Sequence, residues 1–200
     1  MEEADMIRWQ DIEGWFSEGD ADFVTNICAS IKNGIVVEIG VFAGRSTAVM
    51  APICMANGTE YNAIDSFWGG NNSDDDSTVA HRTGEGRVRR DFERNMREAS
   101  VWDNISLHEC YSAEVAKEFA DETLDFCFID GDHTPEGVHK DLIAWWPKVK
   151  QGGVLGGHDY PTRACKAVNP FAAKMGLSIQ HGCKQKPRLH SCWAIRKTAS

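Results

Sequence analysis

Residues 35–46 read IVVEIGVFAGRS, and the change of character at Gly40 decides the fold. Ile35 to Ile39 is a continuous apolar run, the pattern of a strand buried on both faces. Gly40 to Gly44 is a glycine-bounded turn, and Ser46 reads as the N-cap of a helix behind it. A buried strand that passes through a glycine turn into a helix opens a βαβ unit. The rest of the chain continues the alternation. Residues 60–65, 105–109, 124–130 and 153–157 read as further strands. Between them, SAEVAKEFA (112–120) reads as a short helix, and Thr134 followed by Pro135 starts another that runs to Trp146. Two late strands, LSIQH (177–181) and SCWAIR (191–196), are joined by a polar loop. The expectation is an α/β, Rossmann-like, doubly wound and mainly parallel seven-stranded sheet with an antiparallel C-terminal hairpin strand.

The alternation is interrupted twice. Residues 1–32 form a helical segment with an apolar stripe of Trp9, Ile12, Trp15 and Phe16. The stripe packs on the domain, covers a substrate pocket or makes a dimer contact, and the sequence leaves all three open. Residues 67–84, FWGGNNSDDDSTVAHRTG, are too rich in Gly, Asn and Asp for a helix or strand. An insert of this length is a lid over the strand ends or a surface loop. The charged stretch after it, GEGRVRRDFERNMREAS, is a helix with a solvated face.

Composition narrows the function classes. Two hundred residues, 42% of them hydrophobic, suffice for one sizeable core, so residues 1–200 are read as one domain. No apolar run approaches the ~18 residues of a membrane span, and MEEADMIRWQ has no apolar signal region. A net charge of −9 argues against a nucleic-acid surface and leaves room for small and cationic ligands. Seven cysteines, an odd number at scattered spacings, suit reduced thiols in a cytoplasm. His181-Gly182-Cys183 and His190-Ser191-Cys192 repeat an H-x-C pattern that suits a zinc site on paired strands, but chance and packing give the same pattern.

The charged residues gather where a doubly wound fold binds its ligands, at the carboxyl ends of the strands. The first turn lacks the second glycine of G-x-G-x-x-G and has Phe42 in its loop, so it is not built around a pyrophosphate. Glu38, inside the strand end, repels phosphate and favours an ammonium or sulfonium cation. Asp65, ending the next strand, is placed to accept hydrogen bonds from a ribose diol. Strand four runs into FIDGDH (128–133), and strand five ends in GGHDY (156–160). Asp132 reads as a capping or loop residue ahead of a ligand. His139 reads as a surface or packing histidine, and Trp145 and Trp146 as core and helix-face aromatics.

The order E-x-G-x-aromatic-x-G-x-S followed by Asp65 resembles class I S-adenosylmethionine-dependent methyltransferases. It is most similar to the metal-dependent small-molecule O-methyltransferases of the catechol and macrolide-sugar types, and also to cephalosporin-hydroxylase-like proteins. The resemblance runs from about residue 33 onward. It implies that Glu38, Gly40, Phe42, Gly44 and Ser46 surround the methionine part of S-adenosylmethionine, with Asp130 also facing the cofactor. Asp65 and Ser66 would hold the ribose, and Tyr111 and Ser112 would lie near the adenine. It further implies a divalent metal, magnesium or manganese, on Asp130, His158 and Asp159, with His133 as general base. An acid is more usual where this chain has His158, which shifts the balance toward imidazole-tolerant ions such as manganese or iron.

The chemistry gives each part a reason. Methyl transfer from a sulfonium needs an acceptor oxygen that is deprotonated and held in line. A metal does both, and a histidine near neutrality takes the proton. The expected activity is therefore methyl transfer to a hydroxyl of a small molecule, with a sugar suggested by the resemblance alone. Two readings compete with it: a metal-dependent hydroxylase or hydrolase on the same scaffold, and a cofactor-binding module without catalysis. Homo-oligomerisation is open.

Overall fold

The computed structural model describes residues 6–68, 86–182 and 191–198. Most of the 67–84 insert, and Cys183 and His190 of the H-x-C repeat, lie outside the described residues. Seven strands form one sheet: β1 (Ile35–Ile39), β2 (Glu60–Ile64), β3 (Ile105–His108), β4 (Leu124–Ile129), β5 (Val149–Tyr160), β6 (Ile179–His181) and β7 (Ser191–Arg196). Their order is β3-β2-β1-β4-β5-β7-β6. The first five are parallel, and β7 pairs antiparallel with both β5 and β6. The order reverses between β1 and β4, so these two carboxyl ends form the crevice where such sheets bind ligands.

Among the described residues six α-helices cover the sheet: α1 (Glu18–Ala29), α2 (Thr47–Ala56), α3 (Arg87–Glu98), α4 (Ser112–Val115), α5 (Pro135–Trp145) and α6 (Cys165–Met175). Side chains alternate across a strand with period two. Val36, Phe126, Phe128 and Ala194 therefore pack on α1 to α3, while Val37, Cys127, Ile129, Leu155 and Trp193 pack on α4 to α6. Burial on both faces explains why the parallel strands read as unbroken apolar runs. Trp145 is fully buried, Trp146 is half-buried against Phe171, and His139 is exposed, as the sequence implied.

The amino-terminal stripe packs on the domain. Ile12 and Phe16 are buried, and the Arg45 guanidinium donates to the carbonyls of Gln10, Ile12 and Phe16 while lying over the Trp9 ring. Trp15 is left 68% exposed, 6.0 Å from Phe42. Ser17 and Asp20 then form a reciprocal capping box that starts α1.

Candidate functional site

The turn after β1 is held from below. Glu38 is fully buried, and its carboxylate accepts from Ser46 Oγ at 2.5 Å, Thr47 Oγ1 at 2.6 Å and Tyr61 Oη at 2.7 Å. Burial pushes its pKa up to about 7, against the opposing pull of these three hydroxyls. Glu38 thus ties the turn to α2 and β2, and the Ser46 hydroxyl is spent on it rather than on capping the helix. Gly40 has a left-handed φ of +82°, and a Cβ there would run into the Asp130 carbonyl oxygen. This glycine lets the ends of β1 and β4 touch, so the two halves of the crevice meet at one residue. Gly44, at φ +91°, sits against Phe92 and Met96 of α3.

Asp65 closes the turn from the β2 side. Its Oδ2 accepts from the backbone N–H of Val41 and of Phe42, both at 3.0 Å, and its Oδ1 from Phe67 at 2.8 Å. Burial raises its pKa although these amides pull the other way. Ser66 follows, half-buried, and accepts weakly from the Trp68 amide. Beyond β3, Tyr111 stands 65% exposed. Ser112 is committed: its hydroxyl donates to Asp141 at 2.6 Å and accepts from the Trp145 indole N–H at 2.7 Å.

At the ends of β4 and β5 the charges face one another instead. His133 Nδ1 lies 2.7 Å from Asp159 Oδ2 and 4.0 Å from Asp130 Oδ1. Donor atoms of Asp130, His133 and Asp159 all fall within 4.8 Å of one another. His158 is deeper. It is 4% exposed, with Nδ1 3.5 Å from Asp159 Oδ1 and 3.7 Å from Asp130 Oδ1, and with Nε2 3.6 Å from Asp20 Oδ2. Burial raises the Asp130 pKa to about 6, against the two imidazoles. Burial disfavours charge on His158, yet Asp130, Asp20 and Asp159 outweigh it and lift that pKa to about 9. His158 is therefore largely imidazolium near neutrality and neutralises the acids from beneath, whereas His133 meets the crevice.

The intervening loop is shaped to present His133. Asp132 Oδ1 accepts from the Thr134 amide, and Thr134 caps α5 by accepting from Gly137. Asp132 thus takes the loop side of the capping-or-loop role the sequence suggested, closing a turn ahead of the Thr134 cap. Asp159 has φ +63°, a left-handed conformation that Asp tolerates better than most residues, and its carbonyl accepts from the amides of Arg163 and Ala164.

Six of the thirteen sequence candidates thus converge on two adjoining clusters, Glu38 with Ser46 and Asp130 with His133, His158 and Asp159. Gly40 joins them. The sequence missed Thr47 and Tyr61, which complete the shell of Glu38, and Asp20, which faces His158 from 138 positions away in the chain. Ser17-x-x-Asp20 advertises a helix cap, but no local signal advertises the second contact.

Comparison with known proteins agrees with this edge. A family model described as a methyltransferase domain matches residues 37–160, more than half of the chain. Among solved structures, the O-methyltransferase NovP superposes with a TM-score of 0.71 at 20% identity, covering 90% of this chain and 80% of that one. A SAM-dependent O-methyltransferase from Thermotoga maritima gives 0.64 at 12% identity, covering 94% and 68%. Cofactor-bound Rv0187 from MTB gives 0.65 at 14%, covering 94% and 85%. The family match begins inside β1 and ends with Tyr160, so it takes in both clusters, and the chain belongs to the methyltransferase-domain family, on the class I S-adenosylmethionine-dependent fold.

Proposed function

We propose that this protein transfers a methyl group from S-adenosylmethionine to a hydroxyl oxygen of a small molecule, with His133 as the general base. The observation that carries the reading is the 2.7 Å contact between His133 Nδ1 and Asp159 Oδ2 beside the strand ends that bound the crevice. A carboxylate at Nδ1 holds the proton there and leaves Nε2 as the basic nitrogen. Burial lowers the His133 pKa, but the Asp159 hydrogen bond and the charges of Asp130 and Asp159 exceed it, leaving it raised. The neutral, proton-accepting imidazole therefore grows as pH rises, and the rate rises with it. A positioned base of this kind contributes roughly 10²–10⁴-fold.

The residues suit the groups the reading requires. A carboxylate offers about four lone-pair directions, and Asp65 uses three on backbone amides, so it can still accept from a ribose hydroxyl. The same three amides fix the turn against which the methionine part would lie. Bound there, the cofactor supplies an electrophilic methyl on a cationic sulfur, for which a crevice carrying net negative charge is suited. The chain's −9 charge supports a small molecule over nucleic acid as acceptor, and no helix among the described residues is long and apolar enough to cross a membrane.

A second reading places a divalent ion at the ends of β4 and β5, with His133 a ligand instead of the base, favoured by the one oxygen–nitrogen–oxygen donor group found among the described residues, Asp130, His133 and Asp159. Such a set leaves positions open for an acceptor and suits magnesium or manganese. In this geometry His133 rather than His158 supplies the nitrogen donor, and His158 stays the buried counter-charge.

One experiment tests both. Thermal melts are recorded with S-adenosylhomocysteine or NAD, each with EDTA, magnesium or manganese. S-adenosylhomocysteine at 100 times its dissociation constant is expected to add about 2.7 kcal/mol, and NAD nothing. A further rise with manganese that disappears in Asp159→Asn supports the ion. No response to S-adenosylhomocysteine would overturn the methyl-transfer reading.

A further inference from the structure

Asp20 belongs to the amino-terminal segment, far in sequence from every strand end, yet it is among the most enclosed charges in the molecule at 3% exposure. Its two oxygens have separate tasks. Oδ1 accepts from the Cys192 backbone N–H at 3.0 Å, which anchors the start of α1 to β7. Oδ2 accepts from Ser17 N and Ser17 Oγ and also faces His158 Nε2 at 3.6 Å. A helix cap needs neither burial nor an imidazole, because capping side chains ordinarily work at the surface. Burying this carboxylate without compensation would cost several kcal/mol, and the imidazole opposite is the group that compensates it.

We propose that Asp20 is a positioning residue of the site: through His158 it sets the distance and orientation of Asp130 and Asp159, and so of His133. The path is continuous. Asp20 Oδ2 faces Nε2 on one side of the His158 ring, and Nδ1 on the other side stands 3.5 Å from Asp159 and 3.7 Å from Asp130. Phe16, its centroid 5.8 Å from that of His158, limits tilting of the ring from the same amino-terminal segment. Two carboxylates this close repel, and a ring free to turn would leave one of them without its counter-charge. Pinned from Asp20, the ring holds both, and Asp159 can then orient His133. Arg45 and the Ser17 cap secure the segment that carries Asp20. The segment before β1 is thus a structural part of the reaction centre.

This deepens the methyl-transfer reading and rests on it for the word reaction, but the geometry can be tested without turnover. In the wild-type protein, 15N-resolved imidazole spectra are expected to show His158 carrying a proton on Nε2, the nitrogen facing Asp20, in slow exchange with water. The Asp20→Asn variant, which keeps the shape and removes the charge, is expected to shift the imidazole resonances of both His158 and His133. Ser17→Ala, which removes one donor to Asp20 Oδ2 but keeps the carboxylate opposite His158, is expected to lower the melting temperature and leave both imidazoles in place. Titration of the wild-type protein with S-adenosylhomocysteine separates the two ideas, since it reads the cofactor site without any change at Asp20. Absence of binding in wild type strikes the methyl-transfer reading alone. An unprotonated or rapidly exchanging His158 Nε2 in wild type overturns the positioning role even if Asp20→Asn does not fold. So does a folded Asp20→Asn with His133 unmoved.

Discussion

The two halves of the carboxyl edge use the same chemistry to opposite ends. On the β1–β2–β3 side, Glu38, Asp65 and Ser112 face partners supplied by the protein itself: hydroxyls, backbone amides and an indole. On the β4–β5 side, Asp130 and Asp159 face two imidazoles, and one of these, His133, stays 35% exposed. A carboxylate whose lone pairs are taken by fixed donors makes a rigid wall. A carboxylate held by titratable rings keeps a proton within reach of the crevice. On the proposed reading, the first half shapes a binding surface and the second does chemistry on what is bound there.

Gly40 is where the halves touch, so its substitution should produce the largest change. In Gly40→Ala a methyl group must share space with the Asp130 carbonyl, on a backbone whose left-handed φ disfavours any side chain. Neither the carbonyl nor the turn can retreat without giving up the Asp130 N–H to Ile39 O bond at 2.7 Å. A loss of about 4 kcal/mol or more is expected in denaturant melts. A loss below about 1 kcal/mol would mean that the two halves are not in rigid contact.

Asp20→Ala comes next. It removes the buried partner of His158, the acceptor of Cys192 N–H and half of the capping box together. Breaking a buried ion pair from one side costs about 3–5 kcal/mol. Asp20 also contributes acid sensitivity. Its pKa is lowered to about 2, with burial opposing and the His158 and Ser17 contacts prevailing. Its contribution is therefore present above the ordinary value of 3.8 and is lost as pH falls toward 2.

Glu38 predicts the reverse slope on the binding side. Its folded pKa, about 7, lies above the ordinary value of 4.5. The folded protein keeps a proton that the unfolded chain releases, so this contribution is full below pH 4.5 and is lost as pH rises to 7. The difference is on the order of 3 kcal/mol. In Glu38→Gln, stability measured from pH 4.5 to 7 should lose this slope, while the amide oxygen can still accept from Thr47 and Tyr61 and its NH2 donate to the Ser46 hydroxyl. A variant that retains the full slope would place the titrating group elsewhere.

These residues also mark how far the sequence could be read. The seven strands and their mainly parallel order follow from apolar runs that alternate with helices, because burial on both faces leaves a signal one strand long. The Thr134–Pro135 helix start followed from capping chemistry that acts over three residues. The Ser46 cap did not form, because the hydroxyl found a buried carboxylate one turn away, and a fixed tertiary acceptor outweighs a helix end that solvent can satisfy. SAEVAKEFA closes only one α-helical turn, Ser112–Val115, before tightening to a 3-10 turn over Ala116–Glu118. At the site, FIDGDH and GGHDY contain the acids and imidazoles that the structure brings together. Which imidazole lies deep and which meets the crevice depends on the left-handed turn at Asp159 and on Asp20, and neither is written near those motifs.

The smallest change in stability should come where the chemistry is most exposed. His133 is half-buried, and its partner Asp159 keeps His158 when His133 is gone, so His133→Gln leaves no acid without a counter-charge. A change within about 1 kcal/mol is expected in melts, the ordinary range for a half-exposed position. If His133 is the base, the same variant loses roughly 10²–10⁴-fold in methyl transfer. The pairing of these two results is the test, because the wall-forming carboxylates should show the opposite: Glu38→Gln moves the pH dependence of stability and leaves the proton-transfer step with its base. Should His133→Gln instead unfold the protein as Asp20→Ala does, His133 would belong to the wall, and the division between the two halves of the edge would fall with it.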